Sequence, residues 1–211
     1  LEVFLDTSIA AGFSYGADKA KIMVIKGELL GHVVARTGAS CSGERTQAIV
    51  DFSPLKEINH LRQFIGSTNW VRFYLAVEYN TLVKILGDFM KPKAKFPGHG
   101  IGGGETKACK AFKGIKCLCK HTIELAVLDE AAAIDMTRPL EQIADSSGIA
   151  WGATLVQMTP DLQRFAVLAM FGKGLTPPQQ AWPTLTLETF AQLMGKRSQR
   201  KVLGSMKSIP V

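Results

Sequence analysis

The chain has 211 residues, 46% of them apolar and 20% charged, with a net charge of +7. This composition is that of a globular chain rather than a disordered one and is enough for one large domain or two small ones around a buried core. It contains no apolar run approaching the roughly 18–20 residues that span a membrane.

The charge favours a polyanionic partner such as nucleic acid, or an acidic face of a larger assembly, with a solubilising surface as the alternative. Four cysteines (Cys41, Cys109, Cys117, Cys119) are too few and too irregular for a disulfide framework, so a reducing compartment is expected. The chain starts without Met, signal peptide or presequence and in mid-helix character, and so reads as a piece of a longer product.

Helical spacing of apolar residues predicts a helix over 1–11 that stops at Gly12. Residues 21–25 and 28–34 read as a hairpin turning at Lys26-Gly27. A short helix is predicted over 43–51. A second helix should open at Ser53-Pro54, with Ser as cap and Ile58, Leu61 and Ile65 on its buried face. Residues 91–104, rich in Gly, Pro and Lys, read as a flexible loop or linker. A Lys-rich helix follows from Glu105 to about Thr122, burying Ala108, Phe112, Ile115 and Cys119. Strand-like runs occupy 124–128, 140–144, 149–157 and 164–171, with a turn at 159–161. A Pro-containing loop, 175–183, leads to a helix around 184–195. A basic stretch (196–201) and a strand-like end (206–211) complete the chain.

Three local patterns favour structure over chemistry. Gly98-His99-Gly100-Ile101-Gly102-Gly103 spells a dinucleotide fingerprint, but no buried strand precedes it. Cys117, Cys119 and His121 offer soft metal ligands, yet on a helix residues two apart point in different directions. His32, His60 and His99 have no partner at triad spacing, and His32 reads as structural.

Two carboxylates differ in kind. Asp145 sits at an Asp-Ser-Ser-Gly corner between two strand-like runs, and Glu188 sits on a predicted helix. Clustered carboxylates of this sort hold the two divalent ions of a metal-dependent phosphodiesterase. On spacing alone, a surface turn Asp and an exposed helical Glu are the commoner outcome.

The order of segments adds to this. Leu29-Leu30-Gly31-His32-Val33-Val34, then Leu61-Arg62-Gln63-Phe64-Ile65-Gly66, then Trp70-Val71-Arg72-Phe73-Tyr74-Leu75 follow one another, and residues 138–158 and 164–193 come after them. This collinear set resembles the Pol polyprotein of gypsy-type LTR retrotransposons over nearly the whole chain. The resemblance implies an α/β protein: the end of a reverse transcriptase palm and a thumb over 1–90, a linker loop and connection helix over 91–123, and an RNase H-like mixed sheet with helices over 124–211, incomplete at its C-terminus.

By that resemblance Asp145 and Glu188 correspond to the first two carboxylates of an RNase H site, catalytic and metal-binding. Mg²⁺ is the implied cofactor, weakly held. The family's third carboxylate lies in a Thr-Asp-His pattern past a fourth strand, which 206–211 resembles. The polymerase Tyr-x-Asp-Asp motif would lie upstream, so no polymerase site is expected in this chain. Arg62, Arg72, Lys196, Arg197, Arg200 and Lys201 are the expected contacts to an RNA–DNA hybrid. The functional expectation is a reverse transcriptase/RNase H fragment that binds hybrid and is inactive alone. The alternative is a repurposed, non-catalytic subunit docked among protein partners.

Overall fold

The computed structural model describes residues 2–14, 16, 24–92 and 94–203, with 201 and 202 described by backbone alone. Helix α1 (Glu2–Ala10) ends where Gly12, at φ +79°, turns the chain and donates to Ile9 O. A hairpin follows from β1 (Lys26–Leu29) and β2 (His32–Ala35), which pair antiparallel from Leu29↔His32 to Lys26↔Ala35. The turn is therefore Leu30-Gly31 rather than Lys26-Gly27, which lies inside β1. Both turn residues have positive φ (52° and 80°), the twist that matches two antiparallel strands. Only residue 31, as glycine, adopts it freely; Leu30 adopts it at a steric cost. The expected strand over 21–25 falls largely outside the described residues.

Strand β3 (Gly38–Cys41) pairs with β2, and α2 (Gly43–Val50) follows as expected. The next helix does not open at Ser53-Pro54. It begins three residues beyond Leu55, as α3 (Ile58–Val71). Leu55 is instead held extended by two backbone bonds of 2.7 Å with Ile101. Both side chains are fully buried, and burial of two large aliphatic groups outweighs a Ser-Pro start signal, at about 2 kcal/mol each. The same bridge corrects the reading of 91–104 as flexible: its Gly100-Ile101-Gly102 stretch is docked. Gly100 lies against Leu55 O and Gly102 against Pro54, where any side chain would collide.

Helix α3 buries Leu61, Phe64, Ile65, Thr68 and Val71 on one face. It passes through a single 3-10 turn (Arg72–Tyr74) to α4 (Tyr79–Gly87). Helix α5 (Lys107–Lys120) starts at Thr106, whose hydroxyl accepts from Cys109 N, and buries the four residues expected. Phe64 and Phe112 pack at 4.7 Å, so α5 closes the same core as α2, α3 and α4. Strand β4 (Leu125–Ala126) adds to the edge of β3, so this strand-like run joins the first sheet, ordered β1-β2-β3-β4. A short helix absent from the expectations, α6 (Glu130–Ile134), follows it, capped by the Asp129 carboxylate.

The second sheet is β5 (Leu140–Ser146), β6 (Ala150–Met158) and β7 (Phe165–Gly174), antiparallel in that order. A capping-box turn, α7 (Pro177–Gln180), leads to α8 (Thr184–Leu203). Helix α8 extends through the basic stretch rather than stopping near 195. The reason is Gln199, buried at 2% exposure in the middle of that stretch, whose Nε2 donates to Gln142 Oε1 at 2.6 Å. The two faces of the sheet are covered differently. Trp151, Ala153, Leu187 and Ala191 pack α8 on one face. Gly152, Gly172 and Gly174 lie under Val77, Asn80 and Lys84 of the α4 segment on the other. The expected strand over 206–211 lies outside the described residues.

Candidate functional site

Strand alternation and helix phase place the two carboxylates. Ala144 packs against the cluster that holds Leu187 and Ala191, Gln142 Nε2 donates to Gln192 O (3.0 Å) and Oε1, and Leu140 shares a cluster with Leu203. Helix α8 thus runs antiparallel to β5 on the face of Leu140, Gln142 and Ala144. Glu188 is one turn before Gln192, so it comes to the Asp145 end of β5, exposed. Asp145 alternates to the opposite face, paired with Gly152, and is also exposed. Its Oδ1 accepts from Ser146 N at 2.7 Å. The carboxylates therefore approach the same end of β5 from its two sides. Among the described residues no group of three His, Cys, Asp or Glu gathers in a way that could hold a metal. Two carboxylates are fewer oxygens than a two-ion site needs, and the side chains present do not fit the magnesium pair that the resemblance implies. Beyond them, β5 pairs only with β6 among the described residues, which leaves its outer edge open.

The basic residues fall into two places. Lys196, Arg197 and Arg200 are exposed on the last two turns of α8, held there by Gln199 on the buried side. The side chain of Lys201 is not described. Arg72, at the end of α3, stacks its guanidinium 4.8 Å over the Phe73 ring. It lines a pocket with Met194 and Ser198 of α8, so it stands beside that basic half. Arg62 is apart, ten residues back along α3 or roughly 15 Å, with Nη1 donating to Asn59 Oδ1 at 3.3 Å.

Sequence reading missed Lys173, which joins Arg72 in the pocket lining because β7 runs three residues past its expected end at 171. It also missed the layer around His32. The imidazole stacks on Trp70 at 4.1 Å, and its Nδ1 is 2.7 Å from Tyr74 Oη. Arg45 lies 4.2 Å over the other partner, the Trp70 ring. The Lys-rich helix carries a structural lysine too: Lys116 Nζ donates to Phe52 O at 2.9 Å. All four cysteines are free thiols. Burial pushes the Cys119 thiol up to about 12, whereas bonds from Thr106 and Gly102 hold Cys109 below the usual thiol range.

No protein-family model matches the chain, and no curated protein matches its sequence. Solved structures do match its fold. A foamy viral protease-reverse transcriptase dRH in complex with double-stranded DNA superposes with a TM-score of 0.70 at 14% identity, over 95% of this chain and 33% of that one. The foamy viral protease-reverse transcriptase in complex with dsDNA matches at 0.63 and 14%, over 88% of this chain and 35% of that chain. A foamy viral protease-reverse transcriptase in complex with RNA/DNA hybrid matches at 0.63 and 12%, over 92% of this chain and 27% of that chain. The chain thus has the mixed α/β fold of a reverse transcriptase/RNase H region. It spans about a third of the length of those structures.

Proposed function

We propose that this chain is the thumb and RNase H-like part of a gypsy-type reverse transcriptase, and that it grips an RNA–DNA hybrid without cutting it. The observation that carries this reading is the joint placement of Arg72 and the basic half of α8 beside one another on a fold shared with structures solved on dsDNA and RNA/DNA hybrid. Phosphate contact by such side chains is insensitive to sequence and falls with salt. Asp145 and Glu188 are the proposed remnant of the nuclease site. Two carboxylates hold at most a single magnesium ion, weakly, and cleavage by this chain alone is absent.

The test is hybrid binding at several salt concentrations, alongside a Mg²⁺-dependent cleavage assay. Binding that weakens steeply with salt, with no cleavage, is the expected pair of results. Robust turnover that disappears in Asp145→Asn would replace the silent remnant by an active nuclease, and salt-independent or absent binding would remove hybrid recognition altogether.

A second reading, a non-catalytic subunit of a larger assembly, draws on the apolar side chains exposed around the first hairpin and α1, among them Phe4, Ile25 and Leu30. Stoichiometric co-purification with protein partners and no affinity for hybrid would select it.

A further inference from the structure

A pocket of about 570 Å³ opens between the Arg72–Tyr74 turn, the start of α4, strand β7 and helix α8. Pockets between roughly 300 and 1,000 Å³ are the size that takes a small organic ligand. Its chemistry is one-sided. Among the described residues, Arg72 and Lys173 are its only charged lining residues, two cations with no carboxylate. Neither cation takes part in any ion pair among the described residues. Most of the remaining wall is apolar or aromatic, including Phe73, Trp151 and Met194. The Arg72 guanidinium over Phe73 already forms a stacked pair that a third flat group can extend. Asn80 spends its Nδ2 on Val77 O at 3.0 Å, which leaves its carboxamide oxygen to accept from a ligand amine.

We propose that this pocket binds a single nucleotide, its base against the aromatic and methionine wall and its phosphate between Arg72 and Lys173. Two unpaired cations on an apolar cleft select a ligand that is both flat and anionic; an apolar molecule leaves the cations unused, and inorganic phosphate leaves the wall unused. The nucleotide can be free or the terminal unit of a strand, and the chemistry is the same. This inference shares Arg72 with the proposed hybrid grip but not Lys173, so a result that depends on Lys173 separates the two.

The experiment is calorimetric titration of the 211-residue chain with AMP, with adenosine, and with a 5′-phosphorylated single-stranded trinucleotide. Arg72→Gln and Lys173→Gln are measured beside the parent, with circular dichroism to confirm that each variant is folded; both side chains are exposed. Saturable AMP binding is expected, weakened about tenfold by each substitution, as for loss of one charge-assisted hydrogen bond, and by about a hundredfold on removal of the phosphate, which loses both contacts. A trinucleotide that binds well above AMP, with the same dependence on Arg72 and Lys173, assigns the pocket to a strand end; equal affinities assign it to the free nucleotide. No saturation by AMP or the trinucleotide up to about 10 mM, equal binding of adenosine and AMP, or affinities indifferent to both substitutions overturn the proposal.

Discussion

Gly152 and Val77 meet across the joint between the two halves of the chain: a Cβ on Gly152 would stand 2.8 Å from Val77 Cβ. The sheet is bare there so that the α4 segment can lie directly on its backbone. Gly152→Val is therefore expected to destabilise by about 2–3 kcal/mol through overpacking. Gly174→Ala is expected to cost much less, since its nearest neighbour is Lys84 Cδ, in a flexible side chain. Urea denaturation of the two variants checks the contrast; equal midpoints would mean that the contact is not rigid.

The docked loop gives a second expectation. Ile101→Ala removes a fully buried side chain from the bridge to Leu55 and should cost about 2–4 kcal/mol. It should also expose residues 94–104 to protease, so that limited proteolysis cuts the variant there well before the parent.

Gln157 is the polar pin of the second half. Buried at 2% exposure, it donates from Nε2 to Asp129 O and Arg138 O, each at 2.9 Å, and accepts from Asp129 N at 3.0 Å. Gln157→Leu would take the amide away from Arg138 O and Asp129 N, while Asp129 O keeps Ala133 N at 3.1 Å, and should destabilise by about 3 kcal/mol. A melting temperature within a degree or two of the parent would show that water replaces the amide.

Alkaline pH should unfold the chain earlier than an ordinary surface would predict. Burial raises the Tyr79 hydroxyl from its usual 10.0 to about 12, and Cys119 from 9.0 to about 12. Both groups hold their protons more tightly when folded. Their contribution is fully present below the unfolded values, begins to fall near pH 9 as unfolded Cys119 ionises, and is lost by about pH 12. Cys119→Ala should make the loss above about pH 9 shallower without moving its onset, because burial also raises the Cys41 thiol from 9.0, read from urea midpoints against pH.

If the basic half of α8 contacts phosphates, Arg197→Gln with Arg200→Gln should lower the slope of log K against log salt by roughly two for a hybrid. An unchanged slope would place the contacts elsewhere.

Periodicity made α3, α5 and all three strands of the second sheet legible, because each buries a regular stripe: Ala108, Phe112, Ile115 and Cys119 are one such set. What stayed hidden depended on partners distant in sequence. Ser53-Pro54 carries a genuine helix-start signal, yet Ile101 captures Leu55 first. The basic stretch read as lying beyond the helix because Gln199 is polar, and its bond to Gln142 explains why a polar residue is buried there. For the candidate site, collinear motifs nominated Asp145 and Glu188 by resemblance alone. They could not reveal that the two approach β5 from opposite sides, since this follows from the strand's alternation against α8. Lys173 carries no motif and matters only through its place beside Arg72.

Strand β4 has a consequence for anyone dividing this protein. Leu125 and Ala126 pair with Ala39 and Gly38, some ninety residues earlier, so the natural-looking scissor point after the Lys-rich helix runs through a hydrogen-bonded seam. A fragment ending there would carry an unpaired sheet margin, and its complement would begin with an orphaned strand. Tags, fusion partners and deletions belong beyond Ala126 or in exposed turns such as that at Leu162, never at the boundary that composition alone suggests.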